Sequence, residues 1–258
     1  PANRSRLSPV NFQDTQLIGV LARAESTVSS LSDLLGGLVE KFAARGYSLY
    51  LVGGSVRDAL LGRLGNDLDF TTPARPEVVK EILDEWAETV WDTGIDFGTV
   101  SAAYKGQQIE ITTFRSDSYD GQSRNPEVVY GDTLEGDLVR RDFKANAMAI
   151  ELLADASFKF HDPLHGLHDI ADRVLDTPDK PEISFHDDPL RMLRAARFAS
   201  QLEFRVADRV VEAMRDMAGE IQRITVERVQ VELDKLICGT APWDGIDLLV
   251  STGIADYI

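Results

Sequence analysis

The chain has 258 residues, is 43% hydrophobic, and carries 43 acidic against 27 basic side chains for a formal net charge of −16. That apolar share excludes a disordered chain and suits one or two globular domains, two modest ones fitting best. No apolar run reaches the length of a membrane span and no leader-like start is present, so a cytoplasmic protein without a membrane partner is expected; the charge, read alone, speaks against a polynucleotide ligand, whose phosphates call for Lys and Arg.

Residues 1 to about 32 are polar and weakly patterned, which predicts a solvated N-terminal extension with at most a helix around Thr15 to Ala24. From Ser32 to Arg45 apolar residues recur at helical spacing, with Gly46 as the stop. A short strand at Ser48 to Val52 leads through Gly53-Gly54 into a helix from Ser55 to Leu61 and a second strand near Asp67 to Thr71. A helix from Pro76 to about Trp86 precedes strands at Thr99 to Tyr104 and Gln108 to Phe114, joined by the Lys105-Gly106 turn. These elements predict an α/β domain built on a small mixed β-sheet, spanning residues 33–177. The stretch from Ser116 to Gly131 is rich in Ser, Asp, Gly, Asn and Pro and reads as a long functional loop. Beyond Asp176 strand signals vanish. Helices near Asp188 to Gln201, Ala207 to Met217, Val226 to Ile237 and Trp243 to Ser251 predict an all-α domain over 178–258. The one cysteine, Cys238, excludes an internal disulfide and a thiolate zinc site, and is expected as a buried residue near a helix end.

Asp67-Leu68-Asp69 is the first chemical signal. On a strand, alternate side chains share a face, so both carboxylates project together while Leu68 enters the core. Two carboxylates that close invite a cation, and Mg²⁺ favours a few carboxylates completed by water and phosphates. Alone, the pattern is weak. Upstream, the Gly53-Gly54-Ser55 turn between a strand and a helix lets backbone N–H groups approach a phosphate, though an ordinary tight turn looks the same. It is neither a dinucleotide-binding nor a Walker loop. Glu110, between Ile109 and Ile111 on a strand, should face away from the core.

Together these residues resemble a known family. Leu51 to Asp58 (LVGGSVRD), Leu60-Leu61-Gly62 and Asp67-Leu68-Asp69 are similar to the first motif of the class II tRNA nucleotidyltransferase and bacterial poly(A) polymerase family, within the polymerase-β superfamily. Glu110 to Arg115 resembles its third-carboxylate strand, and Arg140-Arg141-Asp142-Phe143 with Asn146-Ala147-Met148 its ribose-recognition motif. Asp162-Pro163, Gly166 and Asp169 resemble the hinge motif, and Asp187-Asp188-Pro189-Leu190-Arg191 with Arg194 and Arg197 the nucleotide-selecting helix. The resemblance implies a polymerase-β-like catalytic head followed by an all-α neck. It also implies addition of CCA to tRNA 3′ ends from CTP and ATP, with two magnesium ions held by Asp67 and Asp69 and helped by Glu110. In the same reading Gly53, Gly54, Ser55 and Arg57 line the triphosphate site, Arg140, Asp142 and Asn146 meet ribose and phosphate, and no DNA is bound.

Base choice has a physical account within that resemblance. Cytosine and adenine present an amine donor beside a ring-nitrogen acceptor, and uracil and guanine the reverse. A carboxylate at Asp188 accepts from the amine while the Arg191 guanidinium donates to the ring nitrogen. Being three apart on an expected helix, the two share a face, and Arg191, Arg194 and Arg197 continue it as a basic stripe of further nucleotide or RNA contacts.

There are departures. Asp187 stands where the family usually has Glu, His165 where a glycine is common, and Lys144 where a small polar residue is common. Members continue into helical body and tail domains, expected to be missing from a chain that stops at Ile258. His161, His165 and His168 with Asp162 and Asp169 suggest a metal site, but Pro163 and Gly166 interrupt any helix that would align them, so loop contacts are expected. The Ser116 to Gly131 loop resembles the element tied to switching from C to A. Other readings are a poly(A) polymerase, an A- or CC-adding enzyme, or a catalytically silent RNA-binding fragment.

Overall fold

A computed structural model of the chain describes residues 12–116 and 129–258. Helix α1 (Phe12–Ala44) is one element where two segments were expected. Val20, Ala24, Val28, Leu31, Leu35, Leu38 and Phe42, three or four apart, are all buried, so one apolar stripe runs unbroken through the residues expected to be solvated. The solvated-extension reading therefore fails from Val20 onward: the intervening Ser, Thr and Glu residues hide a stripe that only helical spacing reveals. Gly46, at φ +79, ends the helix as expected.

The central sheet is larger than predicted. Strands β1 (Leu49–Val52), β2 (Asp67–Thr72), β3 (Thr89–Trp91), β4 (Thr99–Tyr104), β5 (Gln107–Thr113), β8 (Ala149–Leu152) and β9 (Phe158–His161) form seven strands in the order β3-β4-β5-β2-β1-β8-β9. Only the β2–β5 pair is parallel, so the sheet is mixed. The two central strands carry the carboxylate motifs. The strands not foreseen, β3, β8 and β9, are short and lie toward the edges, where the period-2 signal is weakest. A two-stranded ribbon, β6 (Arg115–Ser116) with β7 (Val129–Tyr130), closes the base of the predicted loop, whose residues 117–128 lie outside the described residues.

Helices α2 (Gly53–Leu60), α3 (Pro76–Asp84), α4 (Leu134–Val139) and α5 (Gly166–Asp172) accompany the sheet. His165, flagged as a departure, sits at φ 60 and ψ 34 immediately before α5. That left-handed conformation is the physical reason a glycine suits the position. Gly166 is needed for a different reason: a Cβ there would lie 2.1 Å from the Lys144 carbonyl oxygen.

After Asp176 come α6 (Pro181–Asp187), α7 (Leu190–Leu202), α8 (Asp208–Asp216), α9 (Val226–Ile237) and α10 (Pro242–Ser251), of which α6 was not foreseen. The segment is not purely helical. A two-residue strand, β11 (Arg205–Val206), pairs in parallel with β10 (Val174–Leu175). Cys238, expected to be buried, is exposed just past the end of α9, because that helix turns Leu236 inward instead. No helix among the described residues is long and apolar enough to cross a membrane.

Candidate active site

A cleft of about 830 Å³ gathers nearly every residue singled out from sequence: Gly53, Gly54, Ser55, Arg57, Asp67, Asp69, Glu110, Arg140, Asp142, Asn146, Asp188, Arg191, Arg194 and Arg197 all line it. Asp187, the last residue of α6, is not among the lining residues. The charge objection is met locally. Nine Arg and Lys side chains and seven carboxylates line the cleft, a cationic excess within a chain of net −16.

On the sheet, Asp67 and Asp69 are exposed and Leu68 is buried, as the strand alternation requires. Parallel pairing puts Asp69 directly beside Glu110, so three carboxylates share one face. The crowding has an electrostatic signature. Although the Asp69 carboxyl opens into the cleft, the surrounding walls withdraw it from bulk water and push its pKa above the ordinary carboxylate range. Glu110 adds to that, Arg141 opposes it, and Asp67 adds again. Such a face fits a cation. Among the described residues, no group of three or more His, Cys, Asp or Glu side chains stands close enough together to enclose a metal ion.

The glycine turn is stitched to this strand by Ser55, whose hydroxyl accepts the Asp69 backbone N–H at 3.0 Å and donates to the Asp67 carbonyl at 3.3 Å. Gly53 has φ +66, and a Cβ there would stand 3.0 Å from Arg141 Nη1. Arg141 in turn pairs with the buried Asp137 at 2.9 Å, and Asp137 also accepts the Arg115 backbone N–H at 3.3 Å. Arg115 donates to the Phe97 carbonyl and to the Thr99 hydroxyl. Burial, then the nearby Arg140, lower its pKa. Both Arg115 and Arg141 keep a buried Nε without a hydrogen-bond partner. Two guanidiniums lining the cleft beside a glycine turn favour an anion. Gly53→Ala is expected to weaken anion binding at this turn about tenfold, through both the left-handed backbone and the Arg141 contact, as isothermal calorimetry with inorganic triphosphate would measure.

A buried network ties the turn to α7. Arg57 is largely buried and donates to Asp58 through Nε and Nη2, each at 3.0 Å, and to Asn146 Oδ1 at 2.7 Å. Asn146 donates to Asp142 Oδ1 at 2.9 Å, and Arg194 meets Asp142 Oδ2 through Nε at 2.7 Å. Burial alone would raise the Asp142 pKa, but Arg194 and the Asn146 amide outweigh it and hold it at about 2. The Phe198 ring lies under three guanidiniums, those of Arg57, Arg194 and Arg197, at 4.9, 5.5 and 4.2 Å. Arg197 approaches Glu232 at 3.1 Å but without hydrogen-bond alignment, so neither atom is bonded. Burial and Arg194 lower its pKa to about 10.

At the other wall the expected geometry changes. Asp188 is not inside a helix with Arg191. Its backbone is extended at φ −142, α7 starts only at Leu190, and Pro189 separates them. The two side chains still line one cleft: Asp188 Oδ1 accepts the Leu190 N–H at 3.1 Å, tying it to the first residue of the helix that carries Arg191. Arg191 donates to the Ser184 hydroxyl at 2.8 Å and the Arg140 carbonyl at 2.6 Å. Sequence reasoning gave no role to Arg115, Asp137, Arg141, Phe198, Arg228 or Lys235, all of which line the cleft; their signal is tertiary proximity. The histidines lie elsewhere: His161 meets Glu151 at 3.2 Å, and the His165 and His168 rings pack edge to face.

Residues 49–176 match the family profile described as Poly A polymerase head domain, and residues 203–258 the one described as Probable RNA and SrmB- binding site of polymerase A. The chain belongs to the tRNA nucleotidyltransferase and poly(A) polymerase family. A relative from Listeria innocua named CCA-adding enzyme is 40% identical over 222 residues, 86% of this chain and 54% of that protein. The crystal structure of the Bacillus stearothermophilus CCA-adding enzyme in complex with CTP aligns with a TM-score of 0.76 at 36% identity, covering 88% of this chain and 53% of that one. A second member of the family, a tRNA nucleotidyltransferase complexed with a primer tRNA and an incoming ATP analog, aligns with a TM-score of 0.70 at 26% identity, covering 90% and 62%. The chain thus spans about half the length of the curated family members it matches.

Proposed function

We propose that this chain performs template-independent nucleotidyl transfer, adding CCA to tRNA 3′ ends from CTP and ATP. The observation that carries the reading is that one cleft is lined by a glycine turn at a helix start, a three-carboxylate face and the Asp188 and Arg191 pair. The similarity to CCA-adding enzymes, one of them in complex with CTP, supports the substrate class. The head (33–177) supplies the chemistry and the helical neck (178–258) selects the base.

Asp67 and Asp69, with Glu110 beside them, would hold two Mg²⁺ ions, which when bound supply charge stabilisation at the attacking and leaving oxygens. The α2 N-terminal N–H groups of Gly53, Gly54 and Ser55 receive the triphosphate, with the guanidiniums of Arg115 and Arg141, which also line the cleft, alongside. Arg57 acts indirectly: its guanidinium is committed to Asp58 and Asn146 and so steadies the turn. Arg140, Asp142 and Asn146 face the ribose, while α7 is braced by Arg194 on Asp142 and by Arg57 over Phe198. Asp188 accepts from the exocyclic amine of C or A and Arg191 donates to the ring nitrogen, so a protein pair replaces a template.

Incubating the chain with Mg²⁺, labelled CTP or ATP, and tRNAs ending before CCA, after CC, or with CCA complete tests the reading on a sequencing gel. Extension that stops at CCA is the expected result. Open-ended A addition would establish a poly(A) polymerase instead, and no extension at low salt and high protein would overturn the catalytic reading.

A further inference from the structure

The wall of the cleft opposite the sheet includes a face of α9 that sequence reasoning passed over. Residues 228, 232 and 235 fall on one side of that helix at spacings of four and three. Arg228 and Lys235 line the cleft, and Glu232 is buried against Arg197 of α7. Arg228 Nη2 lies 3.2 Å from Asp188 Oδ2. The other oxygen, Oδ1, accepts the Leu190 N–H at 3.1 Å. The Asp188 carboxylate is therefore held at both oxygens, one by the start of α7 and one by α9. A carboxylate has about four lone-pair positions, so these two bonds leave it able to accept another donor while removing its freedom to rotate. Arg191 is fixed in the same manner by Ser184 and the Arg140 carbonyl.

We infer that Arg228 is a positioning residue for nucleotide choice: it holds the Asp188 carboxylate at the angle from which it accepts the base amine. The inference rests on the base-reading role proposed above for Asp188 and Arg191. Distinguishing C and A from U and G requires an acceptor and a donor at a set separation, since uracil and guanine present a carbonyl acceptor beside a ring N–H donor, the reverse of cytosine and adenine. Arg191 alone fixes the donor. Arg228, reaching across from a second helix, fixes the acceptor. The pair is solvent-accessible, with the Arg228 side chain 52% and that of Asp188 33% exposed, so its contribution to stability is small and its removal leaves the fold intact.

Equilibrium binding of CTP, ATP, UTP and GTP with Mg²⁺, measured by calorimetry on the chain, tests this. Arg228→Ala is expected to lower affinity for CTP and ATP about tenfold while UTP and GTP change little, so that the preference narrows. Arg228→Lys should recover part of it, and Arg228→Ala should cost little beyond what Asp188→Asn costs already, because both act through one carboxylate. A collapse of preference in Asp188→Asn with an unchanged preference in Arg228→Ala would overturn the role of Arg228 alone. An unchanged preference in Asp188→Asn would overturn the base-reading role and, with it, that of Arg228. Equal weakening for all four nucleotides in Arg228→Ala would mark a merely structural or phosphate contact and also refute the inference.

Discussion

Asp69→Ala is expected to reduce nucleotidyl transfer by about a thousandfold or more, with the fold unchanged. The side chain opens into the cleft and adds no core packing, so circular dichroism and thermal unfolding should match the parent. Its raised pKa records first its withdrawal from bulk water and then the neighbouring Glu110, both of which a bound cation would oppose. Several kcal/mol of transition-state charge stabilisation from metal ions convert to at least about three orders of magnitude in rate at about 1.4 kcal/mol per factor of ten. Single-turnover extension of a CC-ending tRNA with labelled ATP reads the effect. A variant retaining even a tenth of the parent rate would exclude Asp69 from the reacting centre. Asp69→Asn should be nearly as inactive, because the neutral amide preserves shape and removes the charge.

Arg194→Met should produce the largest loss of stability, about 3–5 kcal/mol in urea unfolding at neutral pH, because it leaves the buried Asp142 carboxylate without its cation. Asp142 would keep only the Phe143 N–H and the Asn146 amide. The pH dependence follows from the direction of the shift. Folding lowers the Asp142 pKa from its ordinary 3.8 to about 2, so the folded chain binds this proton less readily than the unfolded one. The stabilisation is therefore complete above about pH 4 and is lost as the pH falls toward about 2. In Arg194→Met burial is opposed only by the Asn146 amide and Arg191, so the downward shift shrinks and the difference from the parent should be widest at neutral pH and narrow on acidification. A constant difference across that range would show that Arg194 stabilises by packing on Phe198 and not by charge. Adding Asp142→Asn to Arg194→Met should recover part of the loss.

The chemistry of the head was legible because strand geometry is local. Alternation alone says that Asp67 and Asp69 share a face, and a glycine pair between a strand and a helix says where backbone N–H groups are free. The β2–β5 pairing that sets Glu110 beside Asp69 joins segments 41 residues apart, and only the order of the motifs hinted at it. The N-terminal helix shows the opposite failure. Its stripe from Val20 to Phe42 was present in the sequence, but polar composition concealed it until packing against the core made it decisive.

By itself, then, the sequence determined the strands and turns that carry the carboxylates and glycines, the helical character of the second half, and the family. These follow from side-chain periodicity, backbone freedom at glycine and motif order, each carried by short stretches of chain. Only the tertiary structure decided how each guanidinium is partnered. Arg57 and Arg194 look alike in sequence to Arg115, Arg141 and Arg197, yet the first two are taken up by Asp58, Asn146, Asp142 and Phe198, while the last three each keep a buried Nε without a hydrogen-bond partner. It also decided that Asp188 sits just before α7, bonded to its first N–H, instead of lying within it, and that α9 reaches across to hold it. The physical reason is that a guanidinium or carboxylate takes its role from whichever partner desolvates it, and those partners come from distant segments that no local pattern connects.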